Sequence, residues 1–359
     1  MVSSIESLPS VDLVRSGFLS DRIIHLHPTR LCNLSCSHCY SSSSPSLRGS
    51  LSLDLLSKAL PVLRSEGYQL ISLSGGEPLA YGHIKELVGI AKDLGFRVTM
   101  ITNGLLATEK ADDLLAMLDG IAISFDGLAP THNRIRGRAD AFERASAAVK
   151  RLAGNGRPTA AAISLTREAI PDLPDLADHL VRLGAKALQV RPVARAGRAQ
   201  TMSQSAFFNP ADQSRLYLVV LALEQELSDH ARVHCDLAPT RSLWDQRDAY
   251  APLLATCEDD KEERPLADLV NPLVITDSGV LKPVAFDFSP VFDIGVLGSL
   301  SSKELSRYKR EALSRFRYLI GSALDHLSRC GGFVDWFDFC TRLSERSDRM
   351  EACASLKTT

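Results

Sequence analysis

Residues 70–104 read LISLSGGEPLAYGHIKELVGIAKDLGFRVTMITNG, and the order of signals in this stretch decides the fold. Residues 70–74 form a short apolar run of strand length, broken by Gly75-Gly76-Glu77-Pro78. Residues 83–94 then repeat apolar side chains at helical spacing, and Gly95 follows the apolar face as a left-handed cap. Residues 98–102 make a second apolar run, closed by Asn103-Gly104. A strand, a helix and a strand in so short a span predict a βαβ unit with parallel strands.

The same alternation extends in both directions. Apolar runs at 23–27, 121–124, 161–165 and 188–191 predict further strands, and amphipathic stretches at 53–66, 109–118, 141–153 and 172–183 predict helices. Gly67, Gly154 and Gly184 again follow apolar faces as expected caps. Pro61 inside the first helical pattern is expected to kink it or delay its start. Strands alternating with helices predict an α/β fold, either an open doubly wound sheet or a partial barrel. After about residue 192 the pattern changes. The small, polar stretch 194–205 reads as a linker or loop, and a helix is expected near 210–227. Residues 273–276 and 280–283 flank Asp277-Ser278-Gly279 as a hairpin, and 303–327 reads as helical. The serine tract 41–44 reads as a flexible loop.

Composition excludes several classes. Of 359 residues, 45% are hydrophobic and 23% charged, as in a globular enzyme with an ample core. A net charge of -2 gives no basic footprint for nucleic acid. No apolar run approaches the ~20 residues that span a bilayer, and the N-terminus lacks a secretory pattern. Eight cysteines in a chain this long are too sparse for a disulfide-stapled domain, and their tightest group has metal-ligand spacing. A reducing, cytoplasmic setting is expected.

That group is Cys32-Asn33-Leu34-Ser35-Cys36-Ser37-His38-Cys39-Tyr40. Three thiolates spaced CxxxCxxC can reach three corners of a cubane iron–sulfur cluster from one loop. A fourth ligand is missing locally, which leaves one iron open to an amine and a carboxylate of a ligand. A zinc site completed by His38 or a remote cysteine is the alternative, although the spacing is unusual for zinc.

The segment resembles the signature of the radical S-adenosylmethionine (SAM) superfamily, and CNLSCSHCY resembles its peptide-modifying, SPASM-type branch. The resemblance implies an α/β fold: a partial (βα)6 barrel over 23–196, after an N-terminal segment 1–22, with a smaller α+β C-terminal domain over 197–359. It implies a [4Fe-4S] cluster on Cys32, Cys36 and Cys39, with SAM as cofactor. Gly75, Gly76, Glu77 and Pro78 then match the motif that orients the methionyl amino group. Asn103 and Ser124 fall at strand ends where the family binds the cofactor, and Ser124 is expected near its ribose or methionyl part. Residues 132–137, HNRIRG, resemble the family's HxxxRG segment, so Arg136 is expected on the cofactor carboxylate. For Asn103, Asp126 and His132, loop-capping or turn hydrogen bonding is an equal expectation. Leu165 and Val190 lie where the family packs adenine, and read equally well as barrel core. The implied reaction is reductive cleavage of SAM to a 5′-deoxyadenosyl radical, which abstracts hydrogen from an unactivated C–H.

The C-terminal half bears on the substrate. Residues 191–199, RPVARAGRA, resemble the bridge into a SPASM-type extension, which suggests a ribosomally made precursor peptide as substrate. The extension is degenerate here. Val284 stands where the family commonly has cysteine, and no CxxC follows Cys39. Cys235, Cys257, Cys330, Cys340 and Cys353 therefore read as buried or incidental thiols rather than auxiliary-cluster ligands; one of them could instead give a hydrogen atom to a substrate radical. Only 22 residues precede the first strand, so leader recognition is expected from a separate leader-binding protein or the C-terminal domain. An electron donor such as flavodoxin or ferredoxin completes the expected partners. A small-molecule radical enzyme of cofactor or natural-product biosynthesis is the second reading. An inactive cluster-bearing scaffold is the third.

Overall fold

The computed structural model of the chain describes residues 21–107, 112–255 and 264–355. Most of the expected segment 1–22, the start of the expected helix 109–118, Cys257 and the Cys353 side chain lie outside the described residues.

Strands and helices alternate through the first half. They run β1 (Ile23–Leu26), α1 (Leu53–Ser65), β2 (Leu70–Leu73), α2 (Ile84–Asp93), β3 (Arg97–Thr102), α3 (Asp112–Ala116) and β4 (Gly120–Phe125). After these come α4 (Ala129–Arg136), α5 (Ala141–Gly154), β5 (Thr159–Leu165), α6 (Leu173–Arg182) and β6 (Ala187–Pro192). The strands β1 to β6 pair in parallel and in sequence order. The rest comprises α7 (Pro210–Glu226), β7 (Arg232–Cys235), β8 (Leu237–Pro239), α8 (Thr240–Asp245), α9 (Ala251–Leu254) and α10 (Leu266–Leu269). It ends with β9 (Leu273–Ile275), β10 (Val280–Pro283), β11 (Gly295–Val296), α11 (Ser302–Glu311), α12 (Leu313–Arg329), β12 (Phe333–Asp335) and α13 (Trp336–Ser355).

Later strands lengthen the first sheet at both edges. β7 joins β6 in parallel, β9 joins β1 in parallel, and β10 and β11 follow antiparallel, which makes ten strands. β8 and β12 form a separate antiparallel pair.

Period-two alternation gives the sheet two unlike faces. Ile24, Leu26, Ile71, Leu73, Val98, Ile123, Phe125 and Ile163 are buried in the main core with the helices. Each such aliphatic side chain contributes roughly 1.5–3 kcal/mol by burial. α1 shows the matching stripe, with Leu56, Leu60 and Leu63 fully buried. The opposite face carries small and polar residues: Ser72, Thr99, Ala122, Ser124, Ala160, Ala162 and Ser164. These residues do not fill the space they face. Side chains from all six strands β1 to β6 line one cavity of ≈ 410 Å³, so the sheet curves around it.

Some local expectations need correction. α1 starts at Leu53 and runs through Pro61, so the proline does not delay it. The ring sits on an exposed position. Gly154 stays helical at the end of α5, and Gly156 takes the left-handed conformation. The expected helix 303–327 is two helices, because the backbone leaves helical geometry at Ala312 between α11 and α12. The stretch 194–205 is not a simple linker: it contains two 3₁₀ turns, Gly197–Thr201 and part of Gln204–Ala206.

A buried ion pair ties the two halves. Lys309 on α11 donates to Glu66 Oε2 at 2.7 Å and to the Arg264 carbonyl at 2.8 Å. The same Glu66 oxygen accepts the Leu266 N–H at 2.7 Å. With both side chains largely buried, removing one partner strands the other charge. Glu66→Ala is therefore expected to lower stability by about 3–5 kcal/mol in urea unfolding. A change below about 1 kcal/mol would mean the pair behaves as an exposed one.

Candidate functional site

The cysteine loop leaves the C-terminal end of β1 and is held from two sides by backbone. On one side lies the turn after β2. Gly76 N–H donates to Thr29 O and Glu77 N–H to Leu31 O, both at 2.9 Å. A Cβ on Gly76 would come within 2.3 Å of Leu31 O, so only glycine fits there. The close approach expected of this motif is thus made to the loop itself. On the other side lies the segment after β6. Arg198 N–H donates to Cys39 O at 3.0 Å, its Nε to Cys36 O at 2.9 Å and its Nη2 to Ser43 O at 2.7 Å. Gly197 has φ +52°, and a Cβ there would stand 2.1 Å from Tyr40 O.

Held this way, Cys32 and Cys36 are buried and Cys39 half-buried; all three are free thiols lining the cavity. Leu34 and Leu105 pack against them as an apolar shell. Among the described residues, no three His, Cys, Asp or Glu are gathered so as to hold a single metal ion. His38, the candidate fourth zinc ligand of the loop, is engaged through Nε2 by Asp126 Oδ1 at 2.7 Å. Three thiols around a cavity with an apolar shell fit a larger cluster gripped at separate corners. Burial pushes the Cys32 thiol up to about 12 and also raises Cys36, where the Arg136 and Arg198 charges oppose it. Metal binding has to displace these protons.

Glu77 and Pro78 do not line the cavity. Glu77 is fully buried: Oε1 accepts Thr102 Oγ1 at 2.6 Å and Leu79 N–H at 3.1 Å, and Oε2 accepts Asn103 N–H at 2.9 Å. Burial raises its pKa against these bonds. Its carboxylate is spent on the fold rather than left for an ammonium. Asn103 passes the order on, donating to Asn33 Oδ1 at 2.7 Å and toward Cys32 Sγ at 3.8 Å. Gly75, Gly76, Asn103, Ser124 and Arg136 all line the cavity.

Asp126, at the end of β4, is a buried hub. Arg136 Nε and Nη2 donate to its two oxygens at 2.5 and 2.9 Å, and His38 donates to Oδ1. The Asp126 backbone N–H donates to His132 Nδ1 at 3.2 Å. Although burial works against ionisation, these partners hold the Asp126 carboxyl far below the usual range, and against burial the Asp126 charge raises Arg136. Burial lowers His132 to about 4, so it is neutral. Of the Arg136 donors, expected on a cofactor carboxylate, Nε and Nη2 are engaged by Asp126.

Leu165 and Val190 take the second of the two readings they allowed, that of barrel core. Both are fully buried in the core beneath the helices. Alternation turns their neighbours Ser164, Gln189 and Arg191 into the cavity instead. Cys235 and Cys340 are core thiols raised by burial, the former to about 12, and Cys330 is exposed beside His326. Asp236 and Asp335 line the cavity with no motif to announce them. Arg198 had a signal, in the bridge-like segment 191–199, but its contacts could not be read from it.

Residues 26–180 match the Radical SAM superfamily, and the chain carries a radical SAM domain. That domain implies SAM and an iron–sulfur cluster. The chain is 31% identical to the sporulation killing factor maturation protein SkfB of Bacillus subtilis (strain 168) over 176 residues, 48% of this chain and 43% of that protein. It is 29% identical to an AdoMet-dependent heme synthase of Methanosarcina barkeri (strain Fusaro / DSM 804) over 218 residues, 60% of this chain and 62% of that one. It therefore spans about half the length of these relatives. Among solved structures it resembles Streptococcus suis SuiB bound to precursor peptide SuiA, with TM-score 0.62 and 16% identity over 83% of this chain and 66% of that one. At that identity the likeness is one of fold.

Two outcomes are expected. Gly197→Ala should bind markedly less iron on anaerobic reconstitution while keeping its far-ultraviolet circular dichroism; full iron content would show that the loop tolerates a side chain there. The second concerns Asp335, whose carboxyl burial and the Asp236 charge push up to about 7. An unfolded aspartate loses its proton near ~3.9, so the folded state holds the extra proton between these values, and stability falls as pH rises through them. Asp335 Oδ1 also caps the Phe337 and Asp338 N–H groups, which asparagine can do as well. Asp335→Asn should stabilise the protein in urea at about pH 8 and leave it nearly unchanged at about pH 4.

Proposed function

We propose that this chain holds a [4Fe-4S] cluster on Cys32, Cys36 and Cys39, uses it to cleave SAM, and modifies a C–H position of a ribosomally made peptide. The observation that carries the reading is three free thiols, on one clamped loop, opening into a cavity ringed by the strand ends. When bound, the cluster and SAM supply a one-electron cleavage of the sulfonium and a hydrogen-atom abstraction.

The chain's own residues set the conditions for that chemistry. Gly75, Gly76, Asn103, Ser124 and Arg136 form the wall offered to SAM. Arg136 and Arg198 place positive charge near Cys36, which favours the thiolate. Leu34 and Leu105 keep water from the sulfurs. The carboxylate of Asp126 fixes Arg136 and His38 in place on the cavity wall.

A peptide substrate is supported by the kinship with SkfB, a maturation protein, and by the fold shared with peptide-bound SuiB. A separate leader-binding protein and a flavodoxin- or ferredoxin-like reductant belong to the same reading, as does a reducing cytoplasm. No helix among the described residues is long and apolar enough to cross a membrane. The heme synthase kinship favours a second reading, a small-molecule substrate in the same cavity.

The test is anaerobic incubation of reconstituted protein with dithionite and SAM. 5′-Deoxyadenosine is expected, and Cys36→Ala should abolish it. Its absence from wild-type protein with a full iron and sulfide load would sink the proposal. Mass spectrometry of a co-expressed candidate peptide separates the two substrate readings.

A further inference from the structure

Away from the thiols, the charged side chains lining the cavity are Arg191, Asp236, Asp287, Asp335 and Asp338. The four acids are accounted for. Asp236 takes Gln189 Nε2 on both oxygens, at 2.9 and 3.2 Å. Asp338 is paired with Arg342. Burial pushes Asp287 toward its neutral form, and Asp335 is shifted the same way.

Arg191 is different. Its guanidinium donates no hydrogen bond to any described residue, and the nearest carboxylate oxygen, Asp236 Oδ2, is 3.9 Å away. That is outside hydrogen-bonding reach. The side chain is 39% exposed and leaves β6 on the cavity face, beside Ser164 of β5. It shares the cavity wall with His25 of β1, Tyr40 next to the thiols and Asp335. The cavity's other guanidinium, Arg136, is committed to Asp126. With only this long ion pair and no hydrogen bond to a described residue, the Arg191 guanidinium keeps a planar fork of donors for a ligand, and that fork matches a carboxylate.

We propose that Arg191 anchors a carboxylate of the substrate within the cavity that also holds the thiols. This rests on the reading that substrate and cofactor share that cavity. The carboxylate belongs either to an acidic peptide residue or to a small carboxylic acid, and the experiment separates them.

Full-length protein, reconstituted anaerobically with iron and sulfide and saturated with SAM, is treated with phenylglyoxal, and the modified arginines are mapped by mass spectrometry. Arg191 is expected to react and Arg136 to stay intact. Glutarate should slow modification of Arg191 about tenfold, the scale of a bidentate charge-assisted pair, and its neutral diamide should not. An acetylated, amidated peptide with one internal glutamate serves as the second probe, with its glutamine counterpart as control. Protection by the glutamate peptide assigns a peptide acid; protection by glutarate alone assigns a small carboxylate. Equal rates with and without every carboxylate overturn the proposal. So does protection by SAM alone relative to cofactor-free protein, because Arg191 then serves the methionyl carboxylate. 5′-Deoxyadenosine formation in the same preparation reads the cofactor assignment separately, so failure of one is not mistaken for failure of the other.

Discussion

The arrangement depends on backbone-to-backbone contact at two glycines. A loop carrying three thiols has no regular structure of its own to hold it. Here it is gripped between the turn after β2, at Gly76, and the segment after β6, at Gly197. Both contacts are too close for any side chain, and both come from strands on the same curved sheet. The position of the thiols is therefore set by the sheet together with the loop's own turn, in which Cys39 N–H donates to Cys36 O at 3.3 Å. Arg198 adds three hydrogen bonds to loop carbonyls, so the segment expected to be a linker serves as a clasp.

Electrostatics complete what packing begins. Asp126 binds both Arg136 and His38 Nε2 in a buried set, so the charge near Cys36 is fixed in place. Glu77, Thr102, Asn103 and Asn33 make a second chain that ends at Cys32. Groups of this kind are costly to bury unless satisfied, and strongly ordering once they are. The Glu77 carboxylate, matched in sequence to an ammonium, is consumed in building the site.

Beyond the thiols the cavity owes its existence to small residues. The interior of a (βα) barrel is ordinarily filled with branched side chains. In this chain β2, β4 and β5 face inward with serine and alanine, and the polar residues of β6 and its neighbours reach into the space left open. The ten-stranded sheet closes the wall with β7 and β9, which come from the C-terminal part. Lys309 and Glu66 bind that part to α1.

The sequence by itself determined the six βα units, the cysteine loop and the turns at the strand ends, because apolar periodicity, glycine caps and motif spacing are local properties. It also carried the choice of Asn103, Ser124 and the glycine pair as cavity residues. It left Leu165 and Val190 poised between two faces of a strand, since a continuous apolar run does not reveal which face looks inward. Only the curvature of the sheet decided that, turning Ser164 and Arg191 to the cavity and both aliphatics to the helices. Nor did any local pattern bring Asp335, on the strand before the last helix, beside Asp236 after β7. Contacts between residues so far apart in the chain follow from how the layers pack, and packing is a property of the whole fold.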